Sequence, residues 1–215
     1  IYETCELNPN YIAVNGKAAY DLLKSKQLND LNIYKVEALR FLYLNQLKNY
    51  IDKKDKNDKS ILVITSYLES EIIEQIKILY LSNTMSKSYK IYLKPHGNTK
   101  NISSIIKAHA PSLKYEILNC HIGEALKKSN RVFCANFTSS AVEAAYMGLV
   151  VAIMMPKNNF DLSLKENVNN YIPIYDHKDL NRFFSYHKKS SINKDYFYLD
   201  KNLTRWKRLL GYLIK

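Results

Sequence analysis

The sequence predicts an α/β protein with a doubly wound parallel sheet, and three observations carry the prediction. Short continuous apolar runs recur along the chain, among them SILVI, YKIYL, RVFCA and VVAIM. Segments with apolar residues at helical spacing alternate with them, as in residues 69–81, where Ile72, Ile73, Ile76 and Leu79 share one side. Turn signals such as Pro95, Gly97, Gly148 and Pro156 punctuate the alternation. Strands covered by helices on both faces lose the apolar-polar alternation and read as unbroken hydrophobic runs, which is the mark of parallel βαβ units.

Taken in order, residues 11–14 read as a strand closed by Asn15 and Gly16, and residues 17–26 as a helix with Ala18, Ala19, Leu22 and Leu23 on one side. Residues 33–36 form the next extended run, leading into a helix over 37–50. Residues 52–59 (DKKDKNDK) have no apolar side chain and are the expected linker. Beyond it the spacing predicts strands at 60–65, 89–93, 114–118, 131–135, 150–154 and 171–175. Helices are predicted at 69–81, 101–110, 124–129, 139–146 and 178–186. The expected organisation is a strand-helix connecting region over 1–51, the linker over 52–59, and one α/β domain over 60–215 that includes a final helix.

Composition narrows the function. The chain has 215 residues, 47% hydrophobic and 24% charged, with five glycines and five prolines, which fits a globular domain rather than a collagenous or disordered one. No basic segment followed by an apolar run and a cleavage site opens the sequence, so no secretory signal is expected. Lysines and asparagines interrupt every apolar stretch long before a membrane span is reached. The three cysteines, Cys5, Cys120 and Cys134, form neither a CxxC pair nor a zinc spacing, and they are expected as reduced thiols in a cytoplasmic protein. The formal charge of +12 suits an acidic small substrate, an anionic membrane surface or nucleic acid. Scattered lysines without interleaved aromatics argue against nucleic acid.

In a doubly wound sheet, ligands bind outside the carboxyl ends of the strands. That rule selects Ser66 and Tyr67, the loop from Lys94 to Thr99, the stretch from Asn119 to Glu124, the turn from Asn136 to Ser140, and the stretch from Pro156 to Asn159. The turn is the strongest feature: Thr138, Ser139 and Ser140 stand where free backbone N–H groups and a positive helix end would face a phosphate. An N-cap alone would use one of these hydroxyls. After the strand YKIYL come Lys94, Pro95, His96 and Gly97, an electropositive loop in which His96 is suited to hydrogen-bond a phosphate or donate a proton; the alternative is a solvated turn. Glu124 and Glu143 are rival ribose ligands, their alternatives being a favourable first-turn carboxylate and an exposed helical one. No GxSxG, HExxH, P-loop or GxGxxG pattern occurs.

Together these features resemble the carboxyl-terminal, Rossmann-like half of GT-B glycosyltransferases, particularly bacterial enzymes that use CMP-activated acidic sugars such as Kdo or sialic acid. The resemblance covers residues 60–160. Lys94-Pro95-His96 matches that family's Lys-Pro-His-Pro loop, with Gly97 in place of the last proline. Glu124 followed by Ser139 and Ser140 matches its ribose and phosphate ligands, and the run from Ser139 through Glu143 to Gly148 matches its phosphate-binding helix. The resemblance implies transfer of a sugar from a CMP-sugar to a surface glycan or lipid-linked acceptor, with Lys94 and His96 acting at the leaving phosphate and no metal or other cofactor. Donors linked to UDP, GDP or CDP, and a noncatalytic nucleotide-binding scaffold, are the alternatives. The carboxyl-terminal NLTRWKRLLGYLIK reads as a helix packed on the domain, or as a peripheral attachment to an anionic membrane.

Overall fold

The computed structural model describes residues 9–26, 32–51, 59–82, 88–136, 138–156, 161, 165–193 and 195–214. In chain order the first elements are β1 (Tyr11–Val14), α1 (Lys17–Ser25), β2 (Asn32–Lys35) and α2 (Leu44–Ile51). Next come β3 (Ser60–Ile64), α3 (Glu69–Leu81), β4 (Lys90–Lys94), α4 (Ile102–His109), β5 (Glu116–Ile117), α5 (Ile122–Leu126) and β6 (Arg131–Cys134). The series closes with α6 (Ser140–Tyr146), β7 (Val150–Met154), β8 (Ile172–Ile174), α7 (His177–Phe184) and α8 (Thr204–Leu213). The chain divides into two units, one holding residues 9–45 and 193–214, the other residues 46–192. The helix α8, read from sequence as the end of the larger domain, thus clusters with the first unit. The expected linker at 52–59 lies outside the described residues except for Lys59, and so does the expected ligand loop at 156–159 except for Pro156.

In the first unit β1 and β2 pair in parallel, Tyr11 opposite Asn32 through Val14 opposite Lys35. The returning segment is laced to them by backbone bonds: Lys17 N donates to Asp195 O (2.8 Å), Tyr198 N to Asn15 O (3.0 Å) and Ala38 N to Tyr198 O (2.8 Å). This lacing requires Gly16, because a β-carbon there would stand 1.8 Å from the Tyr196 carbonyl oxygen. Residues 37–50, expected as one helix, instead form a 3-10 turn at Leu39–Phe41 and then α2. Just before this turn, the Glu37 side chain is committed to the far end of the sequence. Its carboxylate accepts from Arg205 N (2.9 Å) and Trp206 N (3.0 Å), the first free amides of α8, while Trp206 Nε1 donates to Glu37 O (2.9 Å).

In the larger unit six parallel strands take the order β5-β4-β3-β6-β7-β8. Two connections step outward from β3 to one edge and two step from β6 to the other, which is the doubly wound pattern the alternation predicts. Alternate strand residues point to opposite faces. Ile61, Val63, Ile91, Leu93, Phe133, Ala152 and Met154 join α3, α4 and α7 in one core. Leu62, Ile64, Val132, Cys134, Val151 and Ile153 bury the opposite face, where α6 follows β6 with Ala141, Val142, Ala144 and Ala145 inward. The fifth strand is shorter than expected, since at the sheet edge only Glu116 and Ile117 pair, with Tyr92 and Leu93. The helix expected at 124–129 lies two residues earlier, as α5, because His121 Nδ1 accepts from Gly123 N (3.1 Å) and starts it there.

Helix α6 ends in a Schellman turn: Leu149 N donates to Ala144 O (3.1 Å) and Gly148 N to Ala145 O (2.9 Å). Gly148 has φ +72°, a left-handed conformation that favours glycine. The turn feeds β7 directly, and this fixes where the other end of α6 meets the carboxyl end of β6.

Candidate functional site

The chain leaves β3 and β6, adjacent strands, toward opposite edges of the sheet. Loops that part in this way open a crevice above the strand ends. On the β3 side, Thr65 and Ser66 are buried. Ser66 Oγ accepts from Leu68 N (3.1 Å), which turns the chain into α3. The β4 loop is knitted to this lip. Thr65 N donates to Lys94 O (3.2 Å), His96 N to Thr65 Oγ1 (3.4 Å), and Thr99 Oγ1 to Ser66 O (3.4 Å).

His96 is exposed, and its Nδ1 accepts from Asn98 N (3.2 Å). A neutral ring in that arrangement carries its proton on Nε2, so Nε2–H is the group offered outward. The ring lies 5.7 Å from that of Tyr67. Lys94 is half-buried, with Nζ 3.3 Å from Pro95 O. It follows Tyr92 by two residues and so falls on the same sheet face as α6. A β-carbon at Gly97 would meet no atom within 4 Å, so crowding does not demand glycine there.

On the β6 side, the turn into α6 holds Thr138, Ser139 and Ser140, all half-buried. Thr138 Oγ1 accepts from Ser140 N (3.2 Å), which satisfies one free amide of the helix. Ser139, the residue at the cap position, makes no side-chain capping bond. The structural demand for a cap is therefore met by one hydroxyl, and two remain for other work. Because β4 and β6 flank β3, the strand ends carrying His96 and the serine turn are about 10 Å apart, two strand spacings.

The two carboxylates expected at a ribose differ sharply. Glu143 is not an exposed helical residue: it is 1% exposed and faces β6. Burial first, and then the charge of Glu143, push the Cys134 thiol far above its ordinary range, leaving an unreactive cysteine. Glu124 is exposed and pairs with Lys127 (2.7 Å) on α5, the connection that runs from the edge strand β5 back to β6. No hydrogen bond among the described residues joins it to the serine turn.

Two buried polar residues of α3 near the strand ends are not among the sequence-predicted site residues. Gln75, fully buried on α3, donates through Nε2 to Ile64 O (3.3 Å) and Phe133 O (3.2 Å), tying the carboxyl ends of β3 and β6 together. Glu71, one turn earlier, is 5% exposed. The signal was present in the sequence, for Glu71 and Gln75 interrupt the stripe that Ile72, Ile76 and Leu79 form.

No protein-family model matches the chain, and no curated protein matches it. Among solved structures it is similar to the UDP-GlcNAc 2-epimerase from Neisseria meningitidis bound to UDP-GlcNAc, with a TM-score of 0.60 and 12% identity. The fold is Rossmann-like and of GT-B-like kind. The likeness covers 95% of this chain and 61% of that enzyme, so the chain spans less than two thirds of the neighbour's length. At such identity the likeness speaks for the fold. No helix among the described residues is long and apolar enough to cross a membrane.

Proposed function

We propose that the larger unit binds a nucleotide-linked sugar in the crevice between β3 and β6 and serves glycosyl transfer. The observation that carries the reading is the surplus of hydroxyls at the carboxyl end of β6, beside a switch point in a fold shared with a sugar-nucleotide enzyme. Ser139 and Ser140 donate to the donor phosphate, Thr138 shapes their turn, and Lys94 with the Nε2–H of His96 stabilises the negative charge that develops as the glycosyl bond breaks. Where the leaving group takes a proton, His96 delivers it as the imidazolium, with Nδ1 released from Asn98 N, and is left as the neutral ring. Glu124, after release from Lys127, stays the carboxylate of this reading on the nucleotide, while Glu143 is too deeply buried to meet it.

In the finer form of the proposal the donor is a CMP-linked acidic sugar such as Kdo or sialic acid. The Lys94-Pro95-His96 loop and the spacing from Glu124 to Ser139 support it. The UDP-GlcNAc held by the structural neighbour supports a UDP-linked donor as the second reading. The acceptor is a glycan or lipid-linked hydroxyl. Exposed Leu210, Leu213 and Ile214 of the carboxyl-terminal segment, next to exposed Lys207 and Arg208, support attachment at an anionic membrane surface.

Thermal unfolding with CMP, UMP, UDP, CDP and GDP in parallel tests the reading. A nucleotide at 100 times its dissociation constant adds about 2.7 kcal/mol to the stability of the unit that binds it. Selective stabilisation by CMP is expected. Preference for UDP moves the donor to the second reading, whereas the absence of any shift favours a scaffold that has kept the fold without the ligand.

A further inference from the structure

Glu71 and Gln75 stand one turn apart on the buried side of α3. The Nε2 atom of Gln75 is held by the carbonyls of Ile64 and Phe133, so the amide is fixed and its Oε1 is directed away from them. Among the described residues nothing donates a hydrogen bond to Gln75 Oε1 or to Glu71 Oε2, and both atoms are buried. Buried acceptors without donors are costly and rare, and each asks for an explanation.

A local explanation is available in principle and fails. Glu71 occupies the third position of α3, where a glutamate can reach back to the N–H of the cap residue. That amide belongs to Leu68 and already donates to Ser66 Oγ (3.1 Å). Nor does a cation account for the pair, because no group of three or more metal-ligating side chains occurs among the described residues. The Gln75 amide is held at the carboxyl end of β3 by Ile64 O, and Glu71 stands one turn nearer the start of α3, the end that follows the β3 loop.

We propose that Glu71, with Gln75 Oε1 beside it, accepts hydrogen bonds from a vicinal pair of sugar hydroxyls in the bound ligand. A vicinal diol supplies two O–H donors, and acceptor side chains one helical turn apart, with β-carbons about 5–6 Å from each other, can converge on such a pair. This inference rests on the nucleotide-sugar reading and makes Glu71 a specificity-determining residue of that site. The hydroxyls belong either to the ribose or to the linked sugar, and the chemistry at Glu71 is the same.

Titration calorimetry of the whole chain and of Glu71→Gln with CMP, 2′-deoxy-CMP and CMP-sialic acid, and with UDP, 2′-deoxy-UDP and UDP-GlcNAc, separates the sources. For the nucleotide that the unsubstituted chain prefers, Glu71→Gln is expected to lose at least tenfold in affinity for the ligand that brings the hydroxyls. If these are ribose hydroxyls, the preference for ribo- over deoxynucleotide disappears in the variant. If they are on the linked sugar, the gain from attaching that sugar disappears instead. The new amide can donate to Gln75 Oε1, so the variant's Tm is expected to equal or exceed that of the parent. Glu71→Asp, which keeps the charge but withdraws it, should weaken the same ligand with unchanged circular dichroism. Affinities within twofold of the parent for every probe would overturn the inference, as would a lowered Tm with all probes weakened equally, which is the signature of a structural residue. Failure of the parent chain to bind any of the nucleotides would instead overturn the nucleotide-sugar reading on which the inference stands.

Discussion

Replacing Glu37 with alanine is expected to destabilise the unit formed by residues 9–45 and 193–214 by about 3 kcal/mol, the cost of leaving buried donors without their acceptor. The carboxylate is 1% exposed and receives the Arg205 and Trp206 amides, with the Arg205 guanidinium 3.4 Å away. Burial favours the neutral acid, but the two backbone N–H groups and the nearby guanidinium outweigh it and hold the carboxyl below its ordinary value of 4.5. The sign for stability follows. The unfolded chain binds the proton more readily, so the contribution of Glu37 is complete above pH 4.5 and is lost as pH falls through the lower folded value. Urea unfolding followed by Trp206 fluorescence reads this unit through its tryptophan. Acidification should lower the parent's midpoint steeply below pH 4.5, while Glu37→Ala should begin lower and lose that part of its pH dependence. An alanine variant with the parent's midpoint would show that α8 is held by other contacts.

The double replacement Ser139→Ala with Ser140→Ala is expected to reduce affinity for the preferred nucleotide by about 100-fold, as two charge-assisted hydrogen bonds are worth about 3 kcal/mol together. Its thermal stability should change by no more than about 0.5 kcal/mol, because neither hydroxyl caps the helix. Thr138→Ala should behave in the opposite way. It removes the acceptor of the Ser140 amide and costs about 1 kcal/mol of stability, with a smaller effect on the ligand. Calorimetric titration and thermal melts on the two variants distinguish a ligand-binding turn from a capping turn. Equal losses of stability in both would assign all three hydroxyls to the helix.

Much of the larger unit is legible in the sequence because its strands are buried on both faces. Ser60–Ile64 and Val150–Met154 read as unbroken apolar runs, and the stripe of Ile72, Ile76 and Leu79 marks α3 with both ends correct. Edges were harder. The expected strand at 114–118 is cut back to Glu116–Ile117, with Leu118 N still donating to Leu93 O, since an edge strand is defined by one neighbour and its sequence does not reveal where that neighbour stops. Long-range pairing was invisible as well: Glu37 looks like the start of a helix until α8, about 170 positions later, supplies the amides that take its charge. The serine turn was legible from its hydroxyls and its place after an apolar run, whereas the burial of Glu143 was not, because helical spacing does not say which face of α6 meets the sheet. Glu71 and Gln75 are marked only by their interruption of the apolar stripe, and polar residues are usually solvated, so the sequence does not reveal their burial.

The most direct measurement is a crystal structure of the chain grown with the nucleotide that stabilises it best. The account predicts density at the carboxyl ends of β3 and β6, with a phosphate oxygen within hydrogen-bond distance of Ser139 and Ser140 and facing Lys94 and His96. A nucleotide bound elsewhere on the molecule, with the serine turn unchanged, would contradict it.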